Sequence, residues 1–144
     1  MKTLVLYDSK YGNTEKIARA MVAATEATVQ HAAEADPSTL NTYDLIVIGS
    51  PTHGGRPTEP VQGLLKQAEL HGVKVATFDT RMESRFARIF GYAANRLANN
   101  LKQKGATVLA SEGFYVVASE GPLKPGETER AAEWARGLAQ SGAS

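Results

Sequence analysis

The feature that most constrains the fold of this chain is its alternation of short apolar runs with segments whose apolar residues recur at helical spacing. The runs at residues 3–7 and 45–49 are rich in β-forming residues, whereas Val61, Leu64 and Leu65 follow an i, i+3, i+4 pattern. Alternating strands and helices with continuously apolar strands are typical of a parallel sheet covered on both faces by helices.

Similar apolar patterns recur along the whole chain. The apolar pattern predicts strands at residues 3–7, 28–32, 45–49 and 73–78, and a fifth strand interrupted between 107–110 and 113–118. It predicts helices over residues 13–25, 61–68, 86–101 and 131–138. We therefore expect a single α/β domain over residues 1–144, a three-layer sandwich around a five-stranded parallel sheet of order 2-1-3-4-5.

Composition narrows the possible functions. The chain has no cysteine, which excludes disulfides, thiolate metal sites and cysteine catalysis. Its net charge of +1 predicts neither a strongly charged partner nor a nucleic-acid partner. Its apolar runs are too short for a membrane span or a signal peptide, so we expect a cytoplasmic protein with no membrane insertion.

In sheets of this kind, ligands bind beyond the carboxyl ends of the strands, beside the point where the strand order reverses. The candidate ligand loops are therefore residues 8–14, 50–58, 79–86 and 111–126.

The loop after the first strand is rich in hydrogen-bond donors and lies at a helix N-terminus. Free backbone N–H groups, hydroxyls and an amide at this place can hold a phosphate. An equally open interpretation is that the polar side chains only cap the helix. The loop follows neither the Walker nor the dinucleotide-binding glycine pattern. Its candidate binding residues are Ser9, Lys10, Tyr11, Gly12, Asn13 and Thr14.

The loop after the third strand places a glycine pair beside an imidazole. Such a backbone can approach a flat ring closely and change its peptide orientation, although the same residues also build an ordinary turn. Its candidate binding residues are Pro51, Thr52, His53, Gly54 and Gly55.

Together the two loops resemble those of the flavodoxin family, and the resemblance extends over essentially the whole chain. The family's first loop has the pattern Ser/Thr-x-Thr-Gly-Asn-Thr, and the matching residues of this chain are Ser9, Gly12, Asn13 and Thr14. The family's second loop has the pattern Gly-x-Pro/Ser-Thr-aromatic-Gly, and the matching residues are Gly49, Pro51, Thr52, His53 and Gly54. The resemblance implies an FMN cofactor. It also implies that the first loop holds the phosphate and that the Gly54-Gly55 peptide faces N5 of the flavin in its reduced forms.

The segment after the fourth strand departs from the family pattern. Asp79 follows the strand as in the family, but the tyrosine that usually stacks on the flavin is missing. The nearby aromatics Phe86, Phe90 and Tyr92 fit the apolar face of the next helix, and Phe86, which is nearest to the loop, is also open as a ring contact. Asp79, Thr80 and Arg81 are the candidate ring-side residues. An arginine near the flavin would favour its reduced anionic form, whereas the alternative is a solvated helix face.

The resemblance predicts an electron-transfer protein that carries electrons between redox partner proteins, as a monomer or weak homo-oligomer. One alternative is an FMN-dependent NAD(P)H:quinone-type oxidoreductase, although the chain has almost no insertion to build a substrate pocket. The other is a flavin-free interaction module on the same fold. Outside the ligand loops, His31 and His71 are predicted to be surface residues, and residues 120–126 a simple connection.

Overall fold

The computed structural model describes residues 1–52, 55–83 and 91–143 of the chain. It contains one sheet of five strands in the order β2-β1-β3-β4-β5, and every neighbouring pair is parallel, which confirms the predicted topology. The strands are β1 (Thr3–Tyr7), β2 (Thr28–His31), β3 (Leu45–Pro51), β4 (Lys74–Met82) and β5 (Thr107–Val116).

Helices connect successive strands and cover both faces of the sheet. Two short 3-10 turns, Ala32–Glu34 and Pro37–Thr42, take the place of a helix between β2 and β3. The α-helices are α1 (Asn13–Thr25), α2 (Glu59–Gln67), α3 (Ala93–Gln103) and α4 (Glu127–Ala143).

The core consists of two apolar layers, one on each face of the sheet. Alternate residues of a strand point to opposite faces, so Leu4 and Leu6 of β1 pack with α2 and α3, while Val5 and Tyr7 pack with α1 and α4. Both layers form because β1, β3 and the first part of β4 contribute apolar side chains to both faces of the sheet. No helix in the described part of the chain is long and apolar enough to cross a membrane.

Strand β4 is longer than predicted. It continues beyond Phe78 to Met82, and its last residues pair in register with β5 from Glu112 to Val116. The prediction that residues 79–81 form a loop is therefore wrong. The segment is polar in sequence, but its backbone pairs with β3 and β5 on both sides at Asp79 and Thr80.

Helix α3 is shorter than predicted, and β5 is continuous where an interruption was expected. Gly91 has a φ of 75° and Tyr92 is extended, so the helix begins only at Ala93. Phe86 and Phe90 lie outside the described residues. The expected break in β5 is a register irregularity opposite Val75 and Ala76, and the strand itself runs unbroken.

Candidate cofactor site

The loop between β1 and α1 is organised by the hydroxyl of Ser9. Its oxygen accepts hydrogen bonds from the backbone N–H groups of Gly12, at 3.1 Å, and Glu15, at 3.3 Å. The turn needs glycine at position 12, where φ is +91° and a Cβ would meet nothing within 4 Å. The result is a tight loop with open space at its tip and the N-terminus of α1 behind it.

Asn13 and Thr14 begin α1 and are both buried, at 8% and 1% exposure. The Thr14 hydroxyl lies 2.8 Å from that of Thr80 in β4, and the Asn13 side-chain amide donates to the carbonyl of Glu120 at 3.2 Å. The phosphate-loop candidates are therefore tied to two distant segments of the chain, β4 and the segment after β5. By contrast, Lys10 and Tyr11 are exposed, and the Lys10 ammonium lies 5.3 Å from the centre of the Tyr11 ring.

The end of β3 contributes Pro51 and Thr52, which are both half-buried. Thr52 donates its backbone N–H to the carbonyl of Thr80 at 3.1 Å, and its hydroxyl accepts the N–H of Ala93 at 3.2 Å, so it caps α3. Gly55 is buried with a φ of 79°. His53 and Gly54, and with them the predicted contact to flavin N5, lie outside the described residues.

Gly49, the first residue of the second family pattern, has a packing role. A Cβ at this position would lie 2.0 Å from the ring of Phe78 on the neighbouring strand. The ring occupies the volume that a side chain would need, so the packing of the core requires glycine here.

Asp79 is completely buried and fully bonded within the protein. The Arg81 guanidinium donates to both of its carboxylate oxygens, at 2.6 and 2.8 Å, and the N–H of Ala94 in the first turn of α3 donates at 2.9 Å. Bidentate arginine–carboxylate pairs of this kind are the stronger ion pairs in proteins. The first turn of α3 is thus held by Thr52 and Asp79 together.

Arg81 is enclosed between three neighbours. Its guanidinium carbon lies 3.4 Å from the centre of the Tyr92 ring, and it packs over Gly113, where a Cβ would lie 2.2 Å from its Nε. Burial opposes its charge, but the hydrogen bonds and the negative charge of Asp79 outweigh burial and raise the pKa of Arg81. The charge of Arg81 is therefore matched by a carboxylate of the protein itself.

Tyr92 was predicted to lie on the apolar face of a helix, and that interpretation is wrong. It precedes α3 and stacks on Arg81 at the carboxyl edge of the sheet. The glycine at position 91 was the sequence signal that could have separated Tyr92 from the helix.

The segment after β5 is more ordered than a simple connection. It folds back so that Val117 donates its N–H to the carbonyl of Pro122 and Lys124 donates to that of Tyr115, with Leu123 bridging to Val116. The Lys124 ammonium also lies 2.9 Å from a carboxylate oxygen of Glu83.

The tip of this segment meets the phosphate loop at Gly121. This glycine has a φ of +99°, and a Cβ there would lie 2.6 Å from the Asn13 amide oxygen. The sequence placed residues 111–126 at the ligand edge, but nothing in it marked the contact between Gly121 and Asn13.

His31 also contacts a predicted ligand loop. Its Nε2 lies 3.1 Å from Asp8, and its Nδ1 accepts the N–H of Ala33 at 3.1 Å. Because Nδ1 is an acceptor, the ring nitrogen that faces Asp8 is the one that carries the proton. His71 is exposed, as predicted, whereas His31 is half-buried beside the ligand edge.

The donors at the β1–α1 loop fit a phosphate group. The first N–H groups of α1 have no partner within the helix, and the helix dipole favours an anion at this end. The Ser9 oxygen accepts two N–H groups, so its own O–H remains a donor. These donors would suit a phosphate group, while the hydrogen bond from Glu15 to Ser9 fits the interpretation that the loop caps the helix.

Comparison with known proteins agrees with this geometry. The family model described as flavodoxin matches residues 5–134. An uncharacterized protein of Methanocaldococcus jannaschii is 29% identical over 110 residues, which cover 76% of this chain and 71% of that protein.

Solved structures show the same fold. Oxidised flavodoxin 2 from Bacillus cereus superposes with a TM-score of 0.80 at 23% identity, covering 98% of this chain and 99% of the other. A flavodoxin from the domain Archaea superposes with a TM-score of 0.77 at 19% identity, with full coverage of both chains. The chain belongs to the flavodoxin family, and the cofactor that this membership implies is FMN.

Proposed function

We propose that this chain carries electrons on a bound FMN between redox partner proteins. The observation that carries the proposal is the β1–α1 loop, where hydroxyls, backbone N–H groups and a helix N-terminus meet around an open glycine tip. When bound, FMN supplies the one- and two-electron chemistry, and the protein supplies binding, orientation and electrostatics.

The residues of the first loop would hold the phosphate. Ser9 and Thr14 would donate hydroxyl groups, and Asn13 would donate its backbone N–H. Gly12 would shape the turn, because its own N–H already donates to Ser9. The exposed Lys10 would supply a positive charge nearby. Neutral donors at a helix N-terminus bind a phosphate without needing a buried counter-charge.

The residues of β3 and β4 would form the floor beneath the flavin ring. Pro51, Thr52, Gly55 and Thr80 stand at this edge, with His53 and Gly54 as further predicted contacts. Asp79 and Arg81 were predicted to contact the ring directly. Their mutual ion pair supports a different role, in which they hold the start of α3 and the Tyr92 ring in place.

The first experiment compares FMN with riboflavin, which lacks the phosphate. We expect the purified chain to bind FMN more tightly than riboflavin. We expect Ser9→Ala to weaken FMN binding and to leave riboflavin binding nearly unchanged. Ser38→Ala, at an exposed serine in the 3-10 turn Pro37–Thr42, is the matched control. Equal affinity for the two flavins would contradict the assignment of the phosphate loop.

The second experiment separates a carrier from an enzyme. Stepwise anaerobic reduction of the FMN-loaded chain in two resolved one-electron steps would support the carrier. Rapid quinone turnover with NADPH would favour the oxidoreductase alternative, and failure to take up FMN would favour the flavin-free interaction module. A cytoplasmic location and a monomer or weak homo-oligomer stay predictions from the sequence.

A further inference from the structure

The outer face of α3 carries amides and cations and no acidic side chain. The helix sequence, AANRLANNLKQ, contains neither aspartate nor glutamate. Its buried face packs Leu97 and Leu101 into the core, which leaves the polar positions outward. The exposed positions are Asn95, Arg96, Asn99, Asn100, Lys102 and Gln103.

Part of this face lines a groove against α2. The groove has a volume of about 350 Å³, and its floor is formed by Pro57, Leu65 and Leu97. The polar side chains that line it are Arg56, Gln62, Arg96, Asn99, Asn100 and Gln103. The side chains around this floor comprise two guanidinium groups and four amides. Both kinds of group can donate hydrogen bonds to carboxylates and to peptide carbonyls.

One end of the groove, at Arg56 and Pro57, lies at the same edge of the sheet as the candidate cofactor site. The Thr58 N–H that precedes α2 donates to the Ser50 hydroxyl at the end of β3 at 3.0 Å, and α3 is capped from Thr52 and Asp79. Both helices therefore begin at the carboxyl edge. Arg56 stands just before α2 and Arg96 stands in the first turn of α3, which places both cations toward that edge.

The opposite helical layer differs in charge. There Arg19 is paired with Glu15 at 2.9 Å, and Arg130 is paired with Glu127 at 2.6 Å. Helices α1 and α4 thus carry carboxylates among their arginines, whereas the sequence of α3 contains no carboxylate.

We propose that this groove, which we call the α2–α3 groove, is the docking surface for an acidic segment of the redox partner protein. The proposal rests on the proposed function, because it names the partner class for the same electron-transfer site. Arginine binds carboxylates in a bidentate geometry, and amides bind peptide N–H and C=O groups. Complementary charge at this edge would steer the partner toward the cofactor and increase the association rate.

The lining of the groove favours a protein over a nucleic acid. Single-stranded nucleic acid binds on stacking aromatic side chains, and none of the groove's lining residues in the described chain is aromatic.

The test uses the FMN-loaded chain and a hexaglutamate peptide labelled with a red fluorophore, followed by anisotropy at low ionic strength. We expect Arg56→Gln/Arg96→Gln to weaken binding by about tenfold, the effect of losing two exposed charge pairs. Arg19→Gln/Arg136→Gln removes the same net charge from the opposite layer and should bind as the parent does. Added salt should weaken the parent's binding.

A second test measures whether the groove affects electron transfer from the cofactor. The reduced chain is mixed with ferricyanide, an anionic oxidant, and with benzoquinone, a neutral one. We expect the groove double variant to slow the ferricyanide reaction relative to the quinone reaction, and the control double variant to leave the ratio unchanged.

Each negative result has one meaning. Equal binding of the peptide by the two double variants would overturn the docking proposal. Binding of a labelled oligonucleotide at the groove without binding of the peptide would overturn it as well. In both cases the carrier function stands. If the chain takes up no FMN, the proposed function fails, and the peptide titration of the purified chain still decides whether the groove binds an acidic segment.

Discussion

The hydroxyl groups of Thr14 and Thr80 lie 2.8 Å apart in the protein interior, and they join the first turn of α1 to the final part of β4. One threonine belongs to the predicted phosphate loop and the other to the predicted ring side of the site. This contact couples the two halves of the candidate cofactor site across the sheet.

Thr80→Val keeps the shape of the side chain and removes its hydroxyl, which leaves the buried Thr14 hydroxyl without this partner. We expect the free energy of unfolding to fall by about 1–2 kcal/mol, as for an unsatisfied buried hydroxyl. Urea denaturation measures the change. In Thr14→Val/Thr80→Val the loss should be smaller than the sum of the single losses, and strict additivity would argue against a shared hydrogen bond.

Gly121→Ala would push a methyl group against the Asn13 amide. We expect the dissociation constant for FMN to rise about tenfold, equivalent to about 1.4 kcal/mol, because Asn13 can no longer hold the phosphate loop. Isothermal titration with FMN and with riboflavin checks this, and only FMN should be affected.

Gly126→Ala is the matched control for Gly121→Ala. Gly126 has a similar φ of +88°, but a Cβ there meets nothing within 4 Å. The substitution adds backbone strain without a collision, so it should lower stability and spare FMN affinity. Equal effects of the two variants on FMN binding would refute a specific contact with Asn13.

Arg81→Ala would leave the buried Asp79 carboxylate without its ion partner. We expect a loss of about 3–5 kcal/mol in the free energy of unfolding, because an uncompensated buried charge is costly. Chemical denaturation of the apo chain measures it without interference from the cofactor. Asp79→Asn/Arg81→Leu removes both charges and should cost less than Arg81→Ala, and a greater loss would contradict the ion-pair explanation.

Glu127 predicts a pH dependence of stability. The hydrogen bond from Arg130 holds the pKa of Glu127 below its ordinary value of 4.5, against the opposing effect of burial. Because the folded state prefers the ionised form, this carboxylate stabilises the fold above pH 4.5, and its contribution is lost as the pH falls through the lowered folded pKa.

The measurement compares the parent with Glu127→Gln by urea denaturation across acidic pH. The stability difference between them should be constant near neutral pH and should shrink on acidification below pH 4.5. Glu129 lies in the same helical turn at an exposed position, so Glu129→Gln is the control. The stability difference between Glu129→Gln and the parent should change little with pH. A difference for Glu127→Gln that stayed constant down to the acid limit would contradict this assignment.

The sequence by itself determined the architecture. Apolar periodicity reports which side of a local element faces the core, so the five strands and the four helices could be predicted without any distant contact. The strand order followed from the doubly wound pattern that their alternation matches. The polar loop at residues 9–14 after the first strand predicted a phosphate site, because a helix N-terminus favours an anion through its local backbone geometry.

Tertiary structure decided how the loops are fixed. The bond between Asn13 and Glu120 spans 107 residues of sequence. Asp79 and Arg81 share one face of β4, but their ion pair is buried only because α3 and β5 pack against it. The polar residues 79–81 resemble a loop in the sequence. In the fold, the neighbouring strands pair with the backbone of this segment, and Arg81 binds the buried carboxylate of Asp79. Spacing along a chain carries no information about which partner will meet a polar group across the fold, and packing alone supplies it.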